Sequence, residues 1–199
     1  FVAGSFVFGK LYAELIEPEI LTFYRFLLGA TLLGLYLIVT KRLSRDLLFK
    51  PWRYLILGGI YSIYFVFMFI ALRYTSTIST SAIFALMPFA TLILDSLIFN
   101  KKSHSLIWLA LCISSLGALY IVFDGSLINA LNFKLDFGEF IFLIGTIVYS
   151  SYALVQPRLN FGENLLITTF GVLTAGTLIL AMSIIIQGLE FTPTNISIG

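Results

Sequence analysis

The chain is 199 residues long, 59% hydrophobic and only 11% charged, with a mean hydropathy of +1.02. Soluble domains carry about 25% charged residues, so this chain cannot clothe a water-facing surface and reads as an all-α polytopic membrane protein. A net charge of +2 with a pI near 8.7 argues against a nucleic-acid partner, and one cysteine, Cys112, excludes an internal disulfide or a multi-cysteine metal site.

About 20 apolar residues cross a bilayer, and that ruler predicts seven spans, at 1–16, 20–40, 52–73, 77–99, 105–123, 138–157 and 165–187. The first holds Lys10 and, one turn later, Glu14, an i,i+4 pair able to neutralise itself. Arg25 lies about a turn and a half into the second span, near the same side of the membrane. Either Arg25 snorkels outward, or Lys10 and Arg25 make the outer half of a central cavity electropositive, suiting a substrate carboxylate or phosphate. The third span carries Tyr54, Tyr61, Tyr64, Phe65 and Met68 along one broad face. On the fourth, Thr80, Phe84, Met87, Pro88, Thr91 and Asp95 share a face at spacings of three, four and seven. That face is more polar than the remainder, where Ile83, Phe89, Leu94, Leu97 and Ile98 dominate, and is expected to turn inward. Pro88 should kink the helix or free a carbonyl. Asp95, about one turn from the end of its span, either balances Lys101 and Lys102 or relays protons. Mid-way along the fifth span Cys112 reads as a small buried hydrophobe. The sixth offers Thr146, Tyr149, Ser150, Tyr152 and Gln156. Deep tyrosines need a hydroxyl partner and so favour the bundle interior or a wet cavity, although ordinary aromatic packing also accounts for them. Small residues recur four apart at Ser5 and Gly9, Ala30 and Gly34, Ala110, Ser114 and Ala118, and Gly171 and Ala175, spacing that lets helices approach closely in lipid.

Loop charge orients the spans. Lys41, Arg42, Arg45, Lys50 and Arg53 against Asp46 follow the second span, and Lys101 and Lys102 follow the fourth, while the alternate connectors are acidic or nearly neutral. Basic loops face the cytoplasm, so the start of the chain is expected there too, with Trp52, Tyr54 and Trp108 at cytoplasmic helix ends. The connector holding Arg158 and Glu163 is too balanced to vote.

Gly4-Ser5-Phe6-Val7-Phe8 is echoed 141 positions later by Gly145-Thr146-Ile147-Val148-Tyr149, and Gly29 and Gly34 find counterparts at an offset of 142 in Gly171 and Gly176. Five crossings separate the copies, an odd number, so they are expected to be inverted, a signature of secondary transporters.

The run Gly4 to Lys10, then Pro18-Glu19, then Tyr24-Arg25-Phe26 resembles the first two helices of the EamA-type drug/metabolite transporter superfamily. Ala71-Leu72-Arg73-Tyr74-Thr75-Ser76, Ala85-Leu86-Met87-Pro88 and Ser115-Leu116-Gly117-Ala118 resemble later stretches of its five-helix unit. The resemblance implies ten helices in two inverted five-helix repeats, about seven of them visible here. Residues 1–124 would form the first repeat, clipped at its start, and 136–199 the beginning of the second, truncated. The chain begins with Phe1 in an apolar run and ends after a polar connector, so it reads as a fragment. Asn100 and Lys101 stand where family members commonly have Gly-Glu, and the segment after Pro157 has no equivalent of Arg25.

The expected function is secondary transport of a small metabolite, an amino acid or similar and by export, through alternating access in the cell (inner) membrane. Lys10, Glu14, Arg25, Tyr61, Tyr64, Thr80, Thr91, Asp95, Tyr149 and Tyr152 are the expected substrate-pathway residues. Partners are the lipid bilayer and the small-molecule substrate, with proton coupling through Glu14 or Asp95 and a homodimer left open; no cofactor is expected. An enzyme is not expected, since His104 has no nucleophile or metal partner in sight and no paired acids or phosphate loop occur. The competing readings are a seven-helix receptor, which the charge bias and the absence of a lysine in the seventh span disfavour, and a non-transporting membrane scaffold.

Overall fold

Pro18 opens a helix where its fixed φ and missing N–H cost nothing, and the apolar runs that follow have no partner for their backbone in lipid except themselves. The computed structural model describes residues 9–10, 12–13, 16–42, 50–100, 104–122, 126, 128, 131–132 and 136–190. Most of the first span, with Glu14, and the charges Arg45, Asp46, Lys101 and Lys102 lie outside them. The helices are α1 (Pro18–Val39), α2 (Trp52–Tyr74), α3 (Thr77–Phe84), α4 (Met87–Phe99), α5 (Ser105–Val122), α6 (Phe137–Arg158) and α7 (Leu165–Gln187). Among the described residues five segments are long and apolar enough to cross a membrane, α3 and α4 counting as one, and α5 adds a shorter apolar helix. No strand occurs among the described residues. The protein is an all-α polytopic membrane protein.

Side-chain caps mark two starts. Ser76 accepts from the Ser79 N–H at 3.0 Å, and Asn164 from the Leu166 N–H at 3.0 Å. The fourth span breaks at Ala85 and Leu86, where the Pro88 ring cannot coexist with the carbonyl four residues back. Hydroxyls gather on carbonyls to either side of the break. Ser115 on α5 donates to Ala85 O at 3.3 Å, while Ser150 on α6 and Thr91 donate to Met87 O at 3.3 and 2.9 Å. The break also defeats the reading of one continuous face: Ile83, assigned to the side away from the interior, is buried, because α3 and α4 do not share a register.

Helix α2 is the hub, packing on α6, α7, α1 and α3; α6 also meets α3 and α4, and α1 meets α7. Glycines set the closest approaches. A Cβ on Gly34 would stand 2.8 Å from Phe170 of α7, and one on Gly176 of α7 would stand 2.7 Å from Phe26 of α1. With Gly29 against Leu173 between them, the pairs run in opposite order along the two helices. So α1 and α7, the helices matched by the 142-residue offset, lie antiparallel, each offering a glycine to the other's phenylalanine. Gly58 lets α2 meet α7 backbone to backbone, a Cβ there standing 2.7 Å from the Gly176 nitrogen.

The small residues divide accordingly. Ala30, Gly34, Gly171 and Ala175 are buried in contacts, whereas Ala110 and Ser114 are exposed and Ser115 is the buried one. Cys112 is exposed, contrary to the expectation of burial, because α5 packs mainly on α3 and turns that face away from the bundle.

Candidate functional site

The hub position of α2 brings its inward tyrosines against α6, which crosses it antiparallel. The rings of Tyr61 and Tyr152 lie 4.9 Å apart between centroids, Tyr64 and Tyr149 4.6 Å, Tyr61 and Tyr149 6.3 Å, and Tyr149 and Tyr152 6.0 Å. Gly145 opens the way, since a Cβ there would press on Phe67 at 3.2 Å. Tyr64 is only 3% exposed. Among the described residues, none of the four hydroxyls makes a hydrogen bond, although buried phenols ordinarily find one. The cluster therefore presents unspent donors and π faces at the middle of both helices.

Phe65 links this cluster to Arg25. Its ring is 4.9 Å from that of Tyr61, and the Arg25 guanidinium carbon lies 4.5 Å from the Phe65 centroid. Arg25 is half-buried and borders a cavity of about 340 Å³ shared with Tyr12, Tyr24 and Phe69. The sequence-predicted Arg25, Tyr61, Tyr64, Tyr149 and Tyr152 are thus brought together.

The remaining candidates lie elsewhere. Lys10 donates to the carbonyls of Leu72 at 2.6 Å and Thr75 at 3.0 Å, which places its ammonium over the C-terminus of α2. Thr80 is fully buried but bonds back to Thr77 O at 2.9 Å within its own helix. Thr91 and Asp95 border a second cavity of about 290 Å³ with Met87 and Leu154. Asp95 pairs with Arg158 at 2.6 Å, a partner its own sequence neighbourhood did not suggest. Glu14 is outside the described residues.

Two groups were missed. Arg53, read as a solvent-facing loop charge, is fully buried, ion-paired to Glu163, and donates to Leu159 O at 3.3 Å and to the Tyr54 hydroxyl at 3.0 Å. Tyr54, expected in an interfacial belt, is correspondingly buried, its ring over Gly171. Both corrections follow from the hub position of α2, whose first turn is surrounded by α7 and the α6–α7 connector. Glu139 is the second: it is 7% exposed and accepts the Thr75 hydroxyl. Its signal in the sequence was an acid just inside an apolar span. Among the described residues no cluster of His, Cys, Asp or Glu has the makings of a metal site.

A sequence model of the EamA-like transporter family matches residues 1–123. The chain is 25% identical over 202 aligned residues to the "Uncharacterized transporter YyaM" of Bacillus subtilis, covering all of this chain and 66% of that protein. It is 29% identical over 157 residues to the "Uncharacterized inner membrane transporter YhbE" of Escherichia coli, covering 75% of this chain and 48% of that protein. The chain thus spans between about half and two thirds of the length of these relatives. No solved structure matches it significantly.

Proposed function

The chain belongs to the EamA-like transporter family, and from that premise we propose that it supplies the first repeat, residues 1–124, and the start of an inverted second, residues 136–199, of a secondary transporter. The cargo is a small amphipathic metabolite, an amino acid or a close relative, and the direction is export. The convergence of Tyr61 and Tyr64 from one repeat with Tyr149 and Tyr152 from the other carries this reading. Inverted-repeat transporters hold substrate near the midplane where the repeats meet, and the four unbonded hydroxyls lie at that kind of junction. Arg25, above one side of the cluster, supplies positive charge for a carboxylate.

Loop charge supports placing the end of the bundle with Arg53 and Arg158 at the cytoplasmic face of the cell membrane, since Lys41, Arg42 and Lys50 are exposed there. The end with Thr75 and Glu139 then faces outward. Alternating access would open the tyrosine cluster to each side in turn. The test is counterflow of labelled amino acids into vesicles holding the full-length protein. Wild type should accumulate label, Arg25→Ala should lose transport of anionic and zwitterionic substrates while staying folded, and undiminished transport by Arg25→Ala would remove Arg25 from the site.

A further inference from the structure

Glu139 sits in the first turn of α6, where that helix meets the C-terminus of α2. Gly138 makes this meeting possible: a Cβ there would stand 3.0 Å from the Cβ atoms of Tyr74 and Thr75 and 3.1 Å from the Thr75 nitrogen. The Glu139 side chain is thereby pressed into the junction, 7% exposed, with Oε1 accepting the Thr75 hydroxyl. Its second oxygen, Oε2, is buried and has no hydrogen-bond partner among the described residues.

Among the described residues no cation is in contact with Oε2; Lys134, in the connector before α6, lies outside them. The Lys10 ammonium is bonded to the Leu72 and Thr75 carbonyls at the same helix end. Arg73 turns the other way, onto Ala13 O at 2.6 Å and Glu17 at 3.2 Å. Tyr74 is exposed and edges Phe137, Asp136 is exposed, and α3 carries no titratable residue. On α4, Asp95 is engaged with Arg158 at the opposite end of the bundle. The C-terminal carbonyls of α2 add negative potential, which the Lys10 ammonium on Leu72 O and Thr75 O offsets in part. A buried carboxylate oxygen beside a helix C-terminus is a place for positive charge, and transporters use helix C-terminal ends in this way for coupling ions.

We propose that Glu139, with Thr75 as its positioning partner, binds a small monovalent cation, a proton or sodium, at the junction of α2 and α6. Occupancy neutralises the Oε2 charge and ties the C-terminus of α2 to the N-terminus of α6, so the cation stabilises one arrangement of the two helices over another. Its role as a coupling ion rests on the transport reading above; the binding itself does not.

The test has one arm independent of transport. Full-length protein in detergent is melted in sodium against choline chloride at fixed pH, and in buffers of falling pH at fixed salt. Wild type should gain several degrees from one of these cations by mass action, and the gain should vanish in Glu139→Gln. Equal responses in wild type and Glu139→Gln, or no wild-type response to either cation, overturn the site. If Glu139→Gln fails to fold, Thr75→Val takes its place: loss of the Oε1 donor should shift the cation concentration needed for the gain, and an unshifted curve overturns the proposal. In vesicles, an imposed gradient of the identified cation should drive flux in wild type, while Glu139→Gln keeps exchange and loses the driven flux. Cation-dependent melting without any wild-type exchange would sink the transport reading and leave the cation site standing.

Discussion

Arg53 and Glu163 form an ion pair between the first turn of α2 and the α6–α7 connector, with side chains only 1% and 5% exposed. The two residues are 110 positions apart, on segments the proposed repeats assign to different halves. Tyr54 and Leu159 add hydrogen bonds, and the Phe161 ring lies 5.3 Å from the guanidinium carbon. A buried pair of this kind is expensive to break because the survivor is left charged and desolvated.

Glu163→Gln should therefore cost about 3–5 kcal/mol of stability, read from reversible unfolding in detergent. The double replacement Arg53→Met with Glu163→Leu should recover most of that loss, since it removes both charges together.

Asp95→Asn should cost less, below about 1 kcal/mol. Its partner Arg158 is 37% exposed and also rests on the Phe99 ring, 3.5 Å from its centroid, so solvent and aromatic contact both soften the loss. A larger penalty for Asp95→Asn than for Glu163→Gln would contradict this ranking.

Gly58→Ala and Gly117→Ala should separate cleanly. A methyl at 58 meets backbone of α7 at 2.7 and 2.8 Å, where nothing flexible can yield, whereas a methyl at 117 meets nothing within 4 Å. The first should destabilise by about 1–3 kcal/mol; the second should be neutral or stabilising by up to about 1 kcal/mol from helix propensity. Melting temperatures of the two variants decide it.

Ser150→Ala should cost about 1 kcal/mol, because its single O–H is shared between Thr146 O at 2.9 Å and, across to α4, Met87 O at 3.3 Å. Ser151→Ala, which loses only a bond to Ile147 O on an exposed edge, should be near silent in the same assay.

The helices were legible because lipid leaves so little choice. The span read at 165–187 coincides with α7, and the other spans that the described residues cover end within two residues of the observed helices. Pro88 announced the break in the fourth span, since a missing N–H and a ring clash are local facts. The tyrosine convergence was half legible: each helix showed its own aromatic face, but only packing could set Tyr61 against Tyr152. The charges were least legible. Arg53 looked like one more basic loop residue, and Asp95 seemed to answer nearby lysines, because an ion pair spanning 63 or 110 positions depends on helix order and register that no local pattern records. Glu139 hid for the same reason, its burial being set by Gly138 meeting Thr75.

The central claim is that the cluster of four tyrosines packed between α2 and α6 lies on the path of the cargo. Counterflow of a labelled amino acid into vesicles holding the full-length protein tests it most directly, comparing wild type with Tyr149→Ala and with Tyr120→Ala on the exposed face of α5. The account predicts uptake by wild type and Tyr120→Ala, and at least a tenfold loss, about 1.4 kcal/mol, in folded Tyr149→Ala. Wild-type rates in Tyr149→Ala would contradict it.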